Sequence, residues 1–228
     1  MGGPLEGVRA VVFDAYGTLF DVASAAERAR GDLGDRWEAL AETWRAKQLQ
    51  YTWLRALTGR HADFWRVTGD ALDFALEQGG IQDRALRERL MALYERLSAY
   101  PDARPALEAL RPLPLKLAVL SNGAPRMLAA AAESAGLAPL LDGVFSVEEV
   151  GIYKPAPAVY RLASHRLGVW PSEIAFVSAN GWDAAGAKAF GLRVAWCNRT
   201  GQPRERLPDA PDVEIRSLSE LPALLGTR

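Results

Sequence analysis

The run Arg9-Ala-Val-Val-Phe-Asp14 narrows the folds open to this chain more than any other feature. Ala10 to Phe13 is short and rich in β-branched and aromatic side chains, the pattern of a strand buried on both faces. One strand cannot bury its own edges, so it must join a sheet. The sheet is supplied from residue 101 onward, where apolar runs alternate with stretches of helical spacing. Leu115–Leu120, Val144–Ser146, Ile174–Ser178 and Leu192–Trp196 read as strands; Pro125–Ala135 and the stretches near 157–167 and 182–190 read as helices. That alternation predicts a parallel sheet with crossover helices. The segment Gln202–Asp212, with three prolines, predicts a surface loop.

Residues 24–98 follow a different rule. Trp37, Leu40, Trp44, Gln48 and Tyr51 recur at helical spacing, as do Phe64, Val67, Ala71, Phe74 and Ala75. A third helix, roughly 83–98, is stopped by the Tyr100-Pro101 step. The expected architecture is an α/β, doubly wound parallel sheet with a Rossmann-like core of residues 1–20 and 101–228, and an all-helical cap inserted over 21–100. At 228 residues and 49% apolar content the chain can bury both a core and a small insertion. A net charge of −1 predicts neither a nucleic-acid nor a membrane partner. The single cysteine, Cys197, excludes an intrachain disulfide and lies in an apolar run that suits a structural thiol. With no signal-like N-terminal segment and no long apolar stretch, a soluble cytoplasmic protein is expected.

The polar residues that end the strands are the candidate chemistry, because open α/β sheets bind ligands at the carboxyl ends of their strands. Asp14 can be aimed by the tight turn that Gly17 allows, and carboxylates are an established class of covalent nucleophile. Alone, it reads more readily as a capping or Asx-turn aspartate. Ser121-Asn122-Gly123 ends the second strand before a helix, a favourable place for an anion but equally an ordinary cap. Lys154, in Tyr153-Lys154-Pro155-x-Pro157-x-x-Tyr160, follows no strand directly and by itself reads as a solvated loop residue. Ser178, Asn180 and Asp183 follow the strand at Ile174. An ammonium about 4 Å from a carboxylate at an effective dielectric of ~20 is worth roughly 4 kcal/mol, enough to keep it ionised despite desolvation. On the helical insertion, Arg45, Leu49, Thr52 and Ala56 share one helix face, placing a guanidinium beside partly apolar surface.

Taken in order, Asp14-Ala-Tyr16-Gly-Thr18, Ser121-Asn122-Gly123, Lys154-Pro155 and Ser178-Ala-Asn180-Gly-Trp182-Asp183 resemble the motifs of the haloacid dehalogenase superfamily over residues 9–191. The resemblance implies Asp14 as nucleophile, Thr18 as its helping hydroxyl and Lys154 as its charge partner, with Tyr160 a further polar contact near that lysine. Phosphatases of the superfamily carry a second aspartate where this chain has Tyr16, and acidic residues where it has Ser178 and Asn180. The remaining carboxylates, Asp14 and Asp183, make a poor magnesium site, so no metal and no cofactor are expected. A halide needs no proton to leave, and the pattern resembles the (S)-2-haloacid dehalogenase, or type II, branch. Ala179 departs from it, since relatives often have a second serine there.

That branch implies hydrolysis of short (S)-2-haloalkanoic acids to (R)-2-hydroxy acids through an Asp14 ester, with inversion at C2. Arg45, Asn122 and Trp182 would receive the halide, and Ser121 the substrate carboxylate. Tyr16, Leu49 and Phe64 would complete the substrate pocket. Asp183, oriented by Ser178 and Asn180, would activate the hydrolytic water. A homodimer is implied by resemblance alone. A phosphatase of the same fold, a different hydrolase and a non-catalytic carboxylate-binding relative are the alternatives.

Overall fold

A computed structural model describes residues 5–225; residues 1–4 and 226–228, the outer ends of the expected core, lie outside it. The strands β1 (Ala10–Phe13), β2 (Lys116–Ser121), β3 (Gly143–Ser146), β4 (Ile174–Ser178), β5 (Arg193–Cys197) and β6 (Val213–Ile215) form one sheet in the order β3-β2-β1-β4-β5-β6. Every pairing among these described strands is parallel. All four residues of β1 are buried, as its apolar run requires of a central strand. The chain leaves β1 toward β2 and β3 on one side and returns to β4, β5 and β6 on the other. The order therefore reverses at β1, and there a doubly wound sheet opens its crevice. Phe13 pairs with Val119 and Val177, so one step further along the register sets Asp14 beside Ser178.

Between β1 and β2 run α1 (Ser24–Arg28), α2 (Arg30–Leu33), α3 (Trp37–Thr58), α4 (Phe64–Gln78), α5 (Arg84–Tyr94) and α6 (Ala103–Leu110). Asp63 and Asp83 cap α4 and α5 by accepting from the Arg66 and Leu86 backbone N–H groups. The chain enters and leaves the helical cap side by side. Asp21 N–H donates to the Ser98 carbonyl at 2.8 Å, and Tyr100 N–H to the Leu19 carbonyl at 2.9 Å. The crossover helices α7 (Pro125–Ser134), α8 (Pro157–Leu167) and α9 (Gly181–Phe190) flank the sheet, and α10 (Leu221–Leu225) closes the described chain.

Three elements differ from the sequence expectation. The third cap helix ends at Tyr94, and residues 95–98 run into the exit linker. Helix α6, whose buried face is Ala103, Ala106, Leu107 and Leu110, is too short and alanine-rich to announce itself. Strand β6 is three residues at a sheet edge, and only Ile215 is buried. Cys197 is buried as expected, and that burial pushes its thiol up to about 11.

Candidate active site

Asp14 leaves β1 with its N–H bound to the Val177 carbonyl at 2.9 Å, and the residue is 5% exposed. The turn that follows needs Gly17 at φ 91°, and a Cβ there would meet the Asn180 carboxamide at 3.6 Å. Around the carboxylate, donors are divided unevenly. Oδ2 accepts from Asn180 Nδ2 at 2.7 Å and Thr18 Oγ1 at 3.2 Å, with Ser178 Oγ at 3.4 Å. Among the described residues, Oδ1 accepts only from Lys154 Nζ, at 3.0 Å. Thr18 is itself fixed, because its hydroxyl oxygen accepts from Ala179 N–H at 2.8 Å.

Lys154, 1% exposed, bridges two carboxylates, reaching Asp183 Oδ2 at 2.8 Å as well as Asp14. Burial alone would lower its pKa; Asp14 and Asp183 outweigh that and raise it, so the ammonium is permanent at neutral pH. Asp183 is fully buried. Its Oδ1 accepts from the Tyr160 hydroxyl at 2.7 Å, and Ser178 Oγ lies 3.2 Å from Oδ2. Burial and the charge of Asp14 raise its pKa to about 6 against the pull of Lys154 and Tyr160. Helices α8 and α9 meet closely here: a Cβ on Gly186 would lie 2.7 Å from the Tyr160 hydroxyl oxygen.

Tyr16, two residues after the nucleophile candidate, is buried and packed against Phe64 and Tyr94, with ring centroids 5.3 and 5.7 Å away. Burial holds its phenol well above the usual range, so it is neutral, and its hydroxyl has no partner among the described residues. Asn122 accepts from Lys154 N–H at 3.0 Å through Oδ1, which leaves its NH₂ to donate elsewhere. Ser121 accepts from Gly123 N–H at 3.1 Å and keeps its own hydrogen to offer.

From the cap, Arg45 Nη2 reaches the Tyr16 carbonyl at 3.3 Å and Asn180 Oδ1 at 3.4 Å, while Nη1 donates to Gln48 at 2.8 Å. Leu49 lies one turn further along α3, half-buried. Trp182, at the start of α9, packs edge-on to Trp53 of the cap at 5.4 Å, and neither indole N–H has a partner among the described residues. Beside them an apolar groove of about 450 Å³ follows the cap–core seam, lined by Ala56, Leu57, Ile152, Tyr153, Lys154 and Leu207. Tyr153 and Glu148 hold that seam shut. The Tyr153 hydroxyl donates to the Ala62 carbonyl at 2.5 Å, and Glu148 binds both Phe64 N–H at 3.2 Å and His61 at 2.9 Å.

Asp14, Thr18, Lys154, Ser178, Asn180, Asp183 and Tyr160 thus converge as one hydrogen-bonded group, and Arg45 reaches it from above. One expectation is corrected. The Asn180 carboxamide does not orient Asp183; it donates to Asp14 and to the Tyr16 carbonyl, because it lies on the Asp14 side of Ser178. Sequence reading missed Gln48, Thr68 and Tyr94, which stand behind Arg45 and carry no motif. No three His, Cys, Asp or Glu side chains gather as metal ligands among the described residues. The space between Asp14 and Asp183 already holds the Lys154 ammonium, so this donor set suits a fixed internal cation better than a divalent ion.

A carboxylate at a topological switch point, an ammonium bridging it to a second buried carboxylate and a helical cap overhead define one class. Residues 8–191 match the haloacid dehalogenase-like hydrolase family, and the chain belongs to it. Within the family it falls in the (S)-2-haloacid dehalogenase branch. It is 48% identical to (S)-2-haloacid dehalogenase 1 of Pseudomonas sp. (strain CBS-3), over 97% of this chain and 98% of that protein. A solved dehalogenase structure superposes with a TM-score of 0.96 at 46% identity, covering 98% of this chain and 99% of that one. The L-2-haloacid dehalogenase of Xanthobacter autotrophicus with chloropropionic acid covalently bound superposes with a TM-score of 0.89 at 42% identity, over 95% and 98% of the two chains.

Proposed function

We propose that this protein hydrolyses short (S)-2-haloalkanoic acids to (R)-2-hydroxy acids and halide without a metal ion, by two displacements at Asp14. Oδ1, the less encumbered oxygen, attacks C2 from behind the carbon–halogen bond. A C–O bond forms as the C–X bond breaks, the halide leaves with the electron pair, and C2 inverts. Arg45, Asn122 Nδ2 and Trp182 receive the halide; Ser121 and the neighbouring N–H groups hold the substrate carboxylate. Water then attacks the ester carbonyl carbon of Asp14 and gives its proton to Asp183. The bond from that carbon to the alkoxide oxygen breaks, the alkoxide takes the proton that Asp183 accepted, and the water's second proton, left on the Asp14 carboxyl, passes to solvent, which restores both aspartates. Asn180 and Thr18 stabilise charge on Oδ2 throughout.

The observation that carries this reading is Tyr16. An aspartyl-phosphate route needs an acid to protonate its leaving alkoxide, and Tyr16 is a neutral phenol packed among aromatic rings. A halide asks for no proton. The relative with chloropropionic acid covalently bound supports the ester intermediate. Homodimerisation and a cytoplasmic setting belong to the same reading; Leu54 and Leu57 on α3, 50% and 84% exposed, support a partner surface that a sizing column can test. Among the described residues no helix is long and apolar enough to cross a membrane.

The deciding experiment is one turnover of (S)-2-chloropropionate in H₂¹⁸O with enzyme in excess. If Asp14 attacks carbon, the product hydroxyl comes from the protein, so ¹⁸O enters the Asp14 peptide and the first lactate is unlabelled. Labelled lactate beside an unlabelled peptide rules the ester out. The same assay in EDTA should run at full rate, and loss of turnover restored by Mg²⁺ would return the phosphatase alternative.

A further inference from the structure

We propose that Gln48 is a positioning residue for the Arg45 guanidinium, and that its carboxamide is locked in one orientation by Thr68 and Tyr94 so that an oxygen faces the arginine. This rests on the reading of Arg45 as the halide acceptor.

Gln48 lies one turn after Arg45 on α3 and is fully buried. A buried glutamine in a cap this small is costly unless every polar atom is met, and here each has a partner. The orientation follows from Thr68. Its hydroxyl donates to the Phe64 carbonyl at 2.6 Å, so toward Gln48 it can only accept. The group 2.8 Å away must then be Nε2, which also lies 3.0 Å from the Tyr94 hydroxyl. Oε1 is left on the other side, where Arg45 Nη1 donates to it at 2.8 Å and the Tyr94 hydroxyl lies at 3.2 Å. The Trp44 indole fixes the same turn of α4 by donating to the Thr68 carbonyl at 2.9 Å.

The three long cap helices therefore meet on the carboxamide that aims the guanidinium: α3 supplies Gln48, α4 Thr68 and α5 Tyr94. Arg45's remaining contacts, with the Tyr16 carbonyl and Asn180 at 3.3 and 3.4 Å, are longer and come from the core. The short, charge-assisted bond from the cap sets the plane of the guanidinium; the core contacts set how near it stands to Asp14. A neutral acceptor also matters. A carboxylate in place of Gln48 would cancel the charge a halide needs, whereas an amide oxygen aims the cation without neutralising it.

The test uses Gln48→Met, similar in shape but with no oxygen, and Thr68→Val, which removes the acceptor that fixes the carboxamide. Steady-state halide release and inhibition by added chloride are measured for each, alone and with Arg45→Lys. Losing a hydrogen bond to a charged group predicts about a ten- to hundred-fold fall in turnover for Gln48→Met, with weaker chloride inhibition, and a smaller change of the same kind for Thr68→Val. Because Gln48 acts through Arg45, adding Gln48→Met to Arg45→Lys should cost less than about twofold more. If Gln48→Met does not fold, Thr68→Val carries the same pattern of turnover and chloride readouts. Turnover and chloride inhibition unchanged in both variants, or losses that multiply in the double variant, overturn the inference while a damaged Arg45→Lys leaves the reading of Arg45 standing. Wild-type turnover in Arg45→Lys defeats that reading and this inference with it.

Discussion

At the scale of single residues, the pH behaviour of the proposed mechanism turns on Asp183. Burial raises its pKa to about 6, so it is ionised at neutral pH yet basic enough to take a proton from water. Turnover should fall as pH drops through about 6, because the protonated acid cannot act as a base. The Tyr160 hydroxyl, bonded to Oδ1, favours the ionised form. Tyr160→Phe should therefore move the acidic limb of the kcat profile to higher pH, and a limb that stays put would remove Asp183 from that role. Asp14, Ser178 and Asp183 were legible in the sequence because each stands at or just beyond the end of an apolar strand, where the fold has one crevice to offer, whereas Lys154, eight residues past β3, was legible only through the motif it resembles. Gln48, Thr68 and Tyr94 were not. They lie on three helices at spacings that read as core, and nothing local to each announces that they converge.

At the scale of elements, the contact between α8 and α9 shows how tightly helix packing and chemistry are joined. A methyl group on Gly186 would fall 2.6 Å from the Pro155 Cβ and 2.7 Å from the Tyr160 hydroxyl oxygen. Overpacking of this kind costs about 1–3 kcal/mol. Gly186→Ala should lower the midpoint of urea unfolding and also cut turnover, since relief comes by pushing Tyr160 away from Asp183. A second glycine, Gly123, has the Tyr16 ring 2.7 Å from where its Cβ would be, so the turn after β2 leaves room for the aromatic group that stands in place of an acid. The strands were readable from three- to six-residue runs that are mostly apolar. The short edge strand β6 and helix α6 were not, because three residues centred on Glu214, or a face of two alanines and two leucines with one further alanine, give too little apolar pattern to read.

At the scale of the whole molecule, the cap is tied to the core where the chain crosses between them. Arg199 donates to the Thr18 carbonyl at 2.9 Å and pairs with Asp102 at 2.7 Å, its guanidinium lying over the Tyr100 ring. Burial opposes the Asp102 charge, but Arg199, Ser217 and the Leu218 N–H prevail and hold its pKa below the ordinary 3.8. Below that ordinary value the unfolded chain takes up the proton first, so the contribution of Asp102 is present above it and lost as pH falls toward the folded pKa. Asp102→Asn should unfold more readily at neutral pH by about 1–3 kcal/mol, and the difference from the unaltered protein should shrink in acid titrations followed by circular dichroism. The insertion itself was visible as a strand-free stretch between two strand-forming regions, whereas the pairing of its two linkers was not, since it joins residues nearly eighty positions apart. That pairing has a consequence for modularity. The chain comes back to the core where it left, Asp21 bonded to Ser98 and Tyr100 to Leu19, so the sheet senses the insertion only as a loop whose two ends already touch. A different excursion of any length could be spliced between those ends without asking β1 or β2 to move. Covers can be exchanged at this junction while the strands stay in place, and what would change is the floor's upper lining, the contacts of Arg45, Phe64 and Tyr94 with Tyr16 and Asn180.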